Sequence, residues 1–194
     1  MTGVQTCALP ILLDKHGRFT HKFALTKGFR GYSLAVDEFN RVMVVGGSFN
    51  DVRNNAVEVY HSDGDFLLRF GPDILNNAQD IAAAHDGHSL VLDGDDESTS
   101  LRVFSAEGHH LNRFSIRGSI PDSGSAVAFH RASENVLVAS LQSEKRVEVS
   151  MYSKEFKFVR VIQFKSKGGP FITGVAVSVK GRIAVPCQNT VLMA

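Results

Sequence analysis

The strongest constraint on the fold of this 194-residue chain is an internal repeat. Four segments share one pattern, in which a short strand rich in small apolar residues is followed by a turn and a second apolar strand. The first strands are anchored at Leu34, Ile81, Val127 and Val175, at intervals of 47, 46 and 48 residues. A repeat of this length indicates stacked supersecondary units, because one unit cannot bury its apolar faces alone.

Each repeat continues with two further strands. The third strands, at 56–60, 101–104 and 146–149, alternate apolar and polar residues as half-buried strands do. The Asp63-Gly64 pair between two alternating runs is a strong hairpin signal. Because no stretch shows helical periodicity bounded by caps, the sequence predicts an all-β fold. Four antiparallel strands per repeat are typical of a β-propeller blade.

The blade at 32–71 resembles NHL repeats. It carries Leu-Ala-Val-Asp at 34–37, Asn-Arg-Val at 40–42, Ser-Asp-Gly at 62–64 and Phe-Leu-Leu-Arg-Phe-Gly at 66–71. The resemblance implies a propeller of six blades, of which about four are expected here. We expect the end of a blade at 12–25, blades at 32–71, 79–116 and 125–164, and a truncated blade at 172–194. The blade at 125–164 departs most, since it lacks the Asp and the turn glycine.

The first eleven residues differ in style from the rest of the chain. They carry no charge and resemble the translation of a common short-read sequencing adapter, so we expect residues 1–11 to be an artefact without structure. The remainder is then a fragment of a larger gene product. A cytoplasmic location is expected only from the family resemblance.

Composition excludes several classes. With 21 basic against 20 acidic residues and 43% hydrophobic residues, the chain is unlike disordered, collagen-like or disulfide-rich proteins. Its apolar stretches are too short for a membrane span. Cys7 and Cys187 lack metal-ligand spacing, and a buried structural thiol is expected for Cys187. We predict no cofactor, no membrane partner and no DNA partner.

No catalytic or metal-binding motif is evident. The pairs His85/His88 and His109/His110 and the acidic run at 93–97 are interpreted as solvated turns and loops, without metal. The inner strands present Ala and Val, and the ionisable residues expected at their ends are Asp37 and His130. The chain is therefore predicted not to be an enzyme. The alternative is a fragment of a propeller hydrolase or lyase, lactonase-like or amidating lyase-like, for which carboxylates or histidines should line the channel.

Charge is unevenly distributed along the chain, and basic residues with aromatic neighbours fall in loops predicted to share one face. Cations and rings together suit single-stranded RNA. The resemblance to tripartite-motif NHL (TRIM-NHL) proteins implies an RNA- or protein-binding module of a ubiquitin ligase or post-transcriptional regulator, whose RING, B-box and coiled-coil segments are absent here. The candidate partner-binding residues are Lys27, Arg30, Tyr32, Arg53, Lys145, Arg146, Lys165, Lys167 and Phe171.

Overall fold

The structure is a computed structural model of the chain. It describes residues 9–48, 51–94, 98–116, 125–143, 146–165, 172–187 and 190–194, with backbone alone at 51–54. Within these ranges the chain forms seventeen β-strands and a single 3₁₀ turn at His85–Gly87. No helix in these ranges has the length and apolar character needed to cross a bilayer.

The strands form five antiparallel sheets in chain order, which we call blades 1 to 5. Blade 1 holds β1 (Ile11–Leu13) and β2 (Phe19–Lys22). Blade 2 holds β3 (Phe29–Val36), β4 (Val42–Ser48), β5 (Asp51–Tyr60) and β6 (Phe66–Phe70). Blade 3 holds β7 (Asn77–Ala83), β8 (Ser89–Gly94), β9 (Thr99–Phe104) and β10 (His110–Ser115). Blade 4 holds β11 (Ser125–His130), β12 (Asn135–Ser143), β13 (Arg146–Tyr152) and β14 (Phe158–Lys165). Blade 5 holds β15 (Ala176–Val177), β16 (Ile183–Cys187) and β17 (Thr190–Met193).

The blades are arranged around a common centre. The first strands β3, β7, β11 and β15 lie side by side, each in contact with the next, and each blade runs outward from its first strand. Four hydrophobic clusters fill the spaces between neighbouring blades, so each blade buries its faces against the next one. The predicted all-β propeller of four-stranded antiparallel blades is confirmed.

Side chains fix the turns between the first two strands. Asp37, at the end of β3, accepts the backbone N–H groups of Phe39 and Arg41, each at 2.9 Å. Its second oxygen lies 2.7 Å from the Arg41 Nε. Arg41 also donates to the carbonyl of Ala106 in the next blade at 3.2 Å. Asp37 lies at the end of an inner strand, as predicted, where it is buried in the turn and holds Arg41, the residue that joins two blades.

An aromatic contact recurs between successive blades. Phe70 of blade 2 packs on Phe104 of blade 3 with ring centroids 4.9 Å apart. Gly108, in the following turn, has φ +84° and leaves room for the Phe70 ring. At the equivalent position of blade 4, Phe156 adopts φ 57° and stacks on Phe114 at 4.1 Å. The turn of blade 4 therefore keeps the same left-handed backbone conformation, with an aromatic residue in place of glycine.

Blade 1 is a two-stranded sheet within the described residues. Beside it, an apolar groove is lined by residues of β1 and β3, and Tyr32, Leu34 and Val36 of β3 are about half exposed. Residues 1–8 lie outside the described residues, and β1 begins at Ile11. The adapter interpretation of residues 1–11 stays a prediction.

Candidate active site

Two inner strands carry a β-bulge at the same place. In β3 the pairing with β4 shifts between Gly31 and Ser33, which leaves Tyr32 as the extra residue. In β7 the pairing with β8 shifts between Ala78 and Asp80, which leaves Gln79 as the extra residue. The pairing of β11 with β12 shows no such shift. Bulges re-aim the side chains that follow them and are common beside active sites.

Asp80 follows the bulge of β7 and joins three inner strands. One carboxylate oxygen accepts a hydrogen bond from the Ser33 hydroxyl on β3. The other accepts the backbone N–H of Val127 on β11 at 2.8 Å. The carboxylate therefore lies at the centre of the fold, where the first strands of blades 2, 3 and 4 meet.

Burial raises the pKa of Asp80 above its ordinary value, against the smaller opposing effects of the hydrogen bonds from Ser33, Val127 and Ile81. A carboxyl group with a raised pKa can hold or release a proton closer to neutral pH than an exposed aspartate can. A carboxyl group with a perturbed pKa at the meeting point of the inner strands is a candidate acid–base group.

A second group of charged residues lies at the other end of the first strands, in the turns to the second strands. His85 Nδ1 lies 4.0 Å from the Glu38 carboxylate of blade 2, and its Nε2 lies 3.7 Å from the Glu134 carboxylate of blade 4. Lys154 pairs with Glu134 at 3.1 Å. His85, predicted as a solvated turn residue, is instead half-buried, and its ring makes a T-shaped contact with Phe129 at 5.2 Å.

Asp93 also differs from the sequence interpretation, whereas His130 lies at the end of the inner strand β11, as expected. Asp93, predicted in a solvated acidic loop, is buried and lies 2.6 Å from the Arg102 Nε. Residues 95–97 of that run lie outside the described residues. His130 bonds Ser133 and the carbonyl of Val179. Within the described ranges, no three His, Cys, Asp or Glu side chains are grouped as metal ligands.

The predicted partner-binding residues fall into two separate groups. Lys27, Arg30 and Tyr32 are exposed at the start of β3. Arg146 lies directly opposite Lys165 in the pairing of β13 with β14, and both side chains are exposed. Blade 3 lies between the two groups. The remaining four candidates, Arg53 by its side chain and Lys145, Lys167 and Phe171 entirely, lie outside the described residues.

Comparison with known proteins gives similarity of fold alone. No family model and no curated protein sequence matches. A gluconolactonase from Xanthomonas campestris matches with TM-score 0.65 and 15% identity, over 94% of this chain and 63% of that one. The nidogen/laminin complex matches with TM-score 0.71 and 10% identity, over 95% and 68%. Virginiamycin B lyase from Staphylococcus aureus matches with TM-score 0.58 and 8% identity, over 95% and 58%.

The chain is a β-propeller. It spans about three fifths of the length of the first matching propeller, a Bacteroides caccae protein of unknown function. The matches include gluconolactonases, a luciferin-regenerating enzyme and a lyase. The prediction that the chain is not an enzyme is therefore contradicted, because several of the propellers it resembles are enzymes. The NHL and TRIM-NHL resemblance finds no match among family models.

Asp80 is the residue that sequence reasoning missed. It occupies the position just before the anchor of each repeat, where the other repeats have Ser33, Ala126 and Gly174. A carboxylate at a position where the other repeats have small residues indicates a functional residue. The bulge obscures this signal in the sequence. The extra residue Gln79 interrupts the alternation of apolar and polar residues from which the facing of Asp80 would be predicted.

Proposed function

We propose that this chain supplies consecutive blades of a channel-centred propeller hydrolase or lyase, in which Asp80 is the general acid–base. The observation that carries the proposal is the Asp80 carboxyl, which bridges three inner strands and has a pKa raised by burial. Two propellers of similar fold are described as gluconolactonases, so a cyclic ester is the first substrate class to test.

Additional blades are part of the proposal. The chain corresponds to 58–68% of the gluconolactonase, laminin-complex and lyase chains named above. The half-exposed apolar side chains of β3, next to the two strands of blade 1, support a further inner strand pair beside them. The complete protein would then enclose Asp80 in a closed channel.

For a lactone, the reaction has one proton cycle. The ionised Asp80 takes a proton from water, the water oxygen bonds to the acyl carbon, and the ring C–O bond breaks. The proton then returns to the departing oxygen, which gives the open hydroxy acid. In the lyase alternative the same carboxylate takes a proton from carbon, the electron pair of that C–H bond forms a C=C bond, and the adjacent C–O bond breaks. The departing oxygen then takes the proton from Asp80, which returns the carboxylate to its ionised form. A positioned acid–base contributes about 10²- to 10⁴-fold to such steps.

The test is the hydrolysis of glucono-1,5-lactone by the complete protein, corrected for the spontaneous rate. We expect Asp80→Asn to lower kcat by about 10²-fold or more, because the amide cannot accept the proton. Asp14→Asn, in the exposed turn of blade 1, is the matched control and should leave kcat unchanged. Turnover that is absent in the wild type, or equal in Asp80→Asn, contradicts the proposal.

A second function, RNA binding at the outer loops, rests on Arg146 and Lys165, which form an exposed basic pair on blade 4. This second function is the one that the resemblance to NHL repeats and to TRIM-NHL proteins implies. Binding of a protein partner at the same residues is its alternative outcome. Replacing both residues by Ala in the complete protein should reduce the salt dependence of single-stranded RNA affinity by about one unit of slope per lost phosphate contact. An unchanged slope rejects RNA binding by this pair.

A further inference from the structure

Blade 3 contains a buried ion pair at the entrance to the bulge. Asp93, at the end of β8, and Arg102, in β9, have side chains that are 1% and 9% exposed, and their Oδ2 and Nε atoms lie 2.6 Å apart. The other Asp93 oxygen accepts the backbone N–H groups of Asn76 at 2.9 Å and Asn77 at 3.0 Å. One carboxylate thus holds the start of β7 against β8 and β9.

The pair occurs in the same blade as Asp80. At the positions equivalent to Asp93, blades 2 and 4 have Gly46 and Ser140, judged by their pairing in the sheets. Blade 2 has a bulge although Gly46 at this position cannot form an ion pair, so the pair is not what creates a bulge. It is confined, among the three four-stranded blades, to the one whose bulge is followed by a carboxylate.

The residue next to Asp93, Gly94, packs against the bulge. The amide of the extra residue, Gln79, lies over Gly94, so a Cβ at Gly94 would stand 3.0 Å from Gln79 Nε2 and 3.5 Å from Asn77 Nδ2. The Gln79 Oε1 is buried, and among the residues that the structure describes it has no hydrogen-bond partner. Asp80 is the next residue along the chain.

We propose that Asp93 and Arg102 are positioning residues for Asp80, which fix the start of β7 so that the carboxylate reaches both Ser33 and Val127. Buried ion pairs contribute little net stability but can specify one geometry, because an alternative arrangement leaves a buried charge unpaired. The expected effect of the pair on catalysis rests on the proposed function of Asp80. Its structural part is independent, since the Val127 N–H reports whether Asp80 is in place.

The experiment measures amide hydrogen exchange by NMR in the wild-type protein and in Asp93→Asn. The Asn side chain keeps an acceptor for Asn76 and Asn77 but turns an N–H toward the Arg102 Nε, which breaks the pair. We expect exchange at Val127 to accelerate at least 10-fold relative to exchange at Leu101, in the middle of β9. Arg102→Lys, which keeps the charge, should give a smaller acceleration.

Two controls separate position from stability. Asp14→Asn breaks an exposed pair with the same Asp–Arg chemistry, Oδ2 to Nε at 2.9 Å, and should change exchange at neither amide. Gly94→Ala perturbs the bulge from the other side without touching the ion pair, and should also accelerate exchange at Val127 selectively. If Val127 and Leu101 accelerate together in Asp93→Asn, or neither does, the pair does not position Asp80.

Activity distinguishes this inference from the proposed function. If Asp80 is the acid–base, Asp93→Asn should lower kcat for glucono-1,5-lactone with a smaller change in KM, and Arg102→Lys, which keeps the charge, should lower kcat less. Selective exchange at Val127 together with full activity in Asp80→Asn would retain the positioning role and reject the proposed function. Full kcat in Asp93→Asn with reduced kcat in Asp80→Asn would reject the positioning role.

Discussion

Replacing Asp80 by Asn should leave the protein folded and change how its stability depends on pH. The Asn Oδ1 can accept the Val127 N–H, and its Nδ2 can donate to the Ser33 hydroxyl, which serves as donor or acceptor. Both hydrogen bonds of the carboxylate are therefore reproduced, and we expect a change in the free energy of unfolding within about 1 kcal/mol near neutral pH. Asp80→Leu leaves the Val127 N–H unpaired and should cost about 1–3 kcal/mol.

The pH dependence follows from the direction of the pKa shift. Because burial raises the pKa of Asp80 in the folded state, its stabilising contribution is greatest below the unfolded pKa of about 3.9 and is lost as pH rises through the folded pKa. Relative to Asp80→Asn, the wild type should gain stability as pH falls through this window, by about 1.4 kcal/mol for each unit between the two pKa values.

Urea unfolding of both proteins between pH 7 and pH 3.5 measures this difference directly, because residues common to both proteins cancel. A difference that stays constant across the range, or that favours Asp80→Asn more strongly at low pH, would refute the argument that burial controls this carboxyl. Asp14→Asn provides an opposite control: the pKa of Asp14 is lowered, chiefly by the backbone N–H of Arg18. Its wild-type form should therefore lose stability relative to the variant as pH falls.

Two further predictions concern packing. Gly108→Ala should destabilise the protein by about 2–4 kcal/mol, because the residue has φ +84° and the new Cβ would lie 2.6 Å from the Phe70 ring. Thermal unfolding tests it against Gly17→Ala, a residue with similar φ and open space, which should cost only about 1–2 kcal/mol. Cys187 is buried, and burial raises the pKa of its thiol, so alkylation followed by peptide mass spectrometry should label it only on unfolding. Rapid labelling of Cys187 in the folded protein would contradict its placement.

Repetition made the fold predictable from sequence. The same apolar pattern recurs four times, and errors at one strand are corrected by the others, so even the irregular blade 4 was identified. Its turn could not be anticipated in detail: Phe156 takes the left-handed conformation that glycine takes at Gly64 and Gly108, and stacking on Phe114 accompanies it. That contact joins residues of different blades, which local propensity does not encode.

The candidate site was less predictable for a related reason. Hydrophobic alternation identifies which strands are inner, but Asp80 follows an unpaired residue, and its partners Ser33 and Val127 come from two other blades. The acidic run that begins at Asp93 predicts a solvated loop, whereas the Asp93 carboxylate pairs with Arg102, nine residues later. The roles of Asp80 and Asp93 depend on contacts with residues that are distant in sequence and close only in the folded chain.

The most direct test of the central claim is the pH dependence of kcat/KM for glucono-1,5-lactone hydrolysis by the complete protein. The account predicts an acidic limb whose midpoint lies above the ordinary aspartate pKa and agrees with the NMR titration of the Asp80 carboxyl, and which disappears in Asp80→Asn. A wild-type protein without turnover, or an acidic limb that persists unchanged in Asp80→Asn, would contradict the assignment of Asp80 as the acid–base group of this propeller.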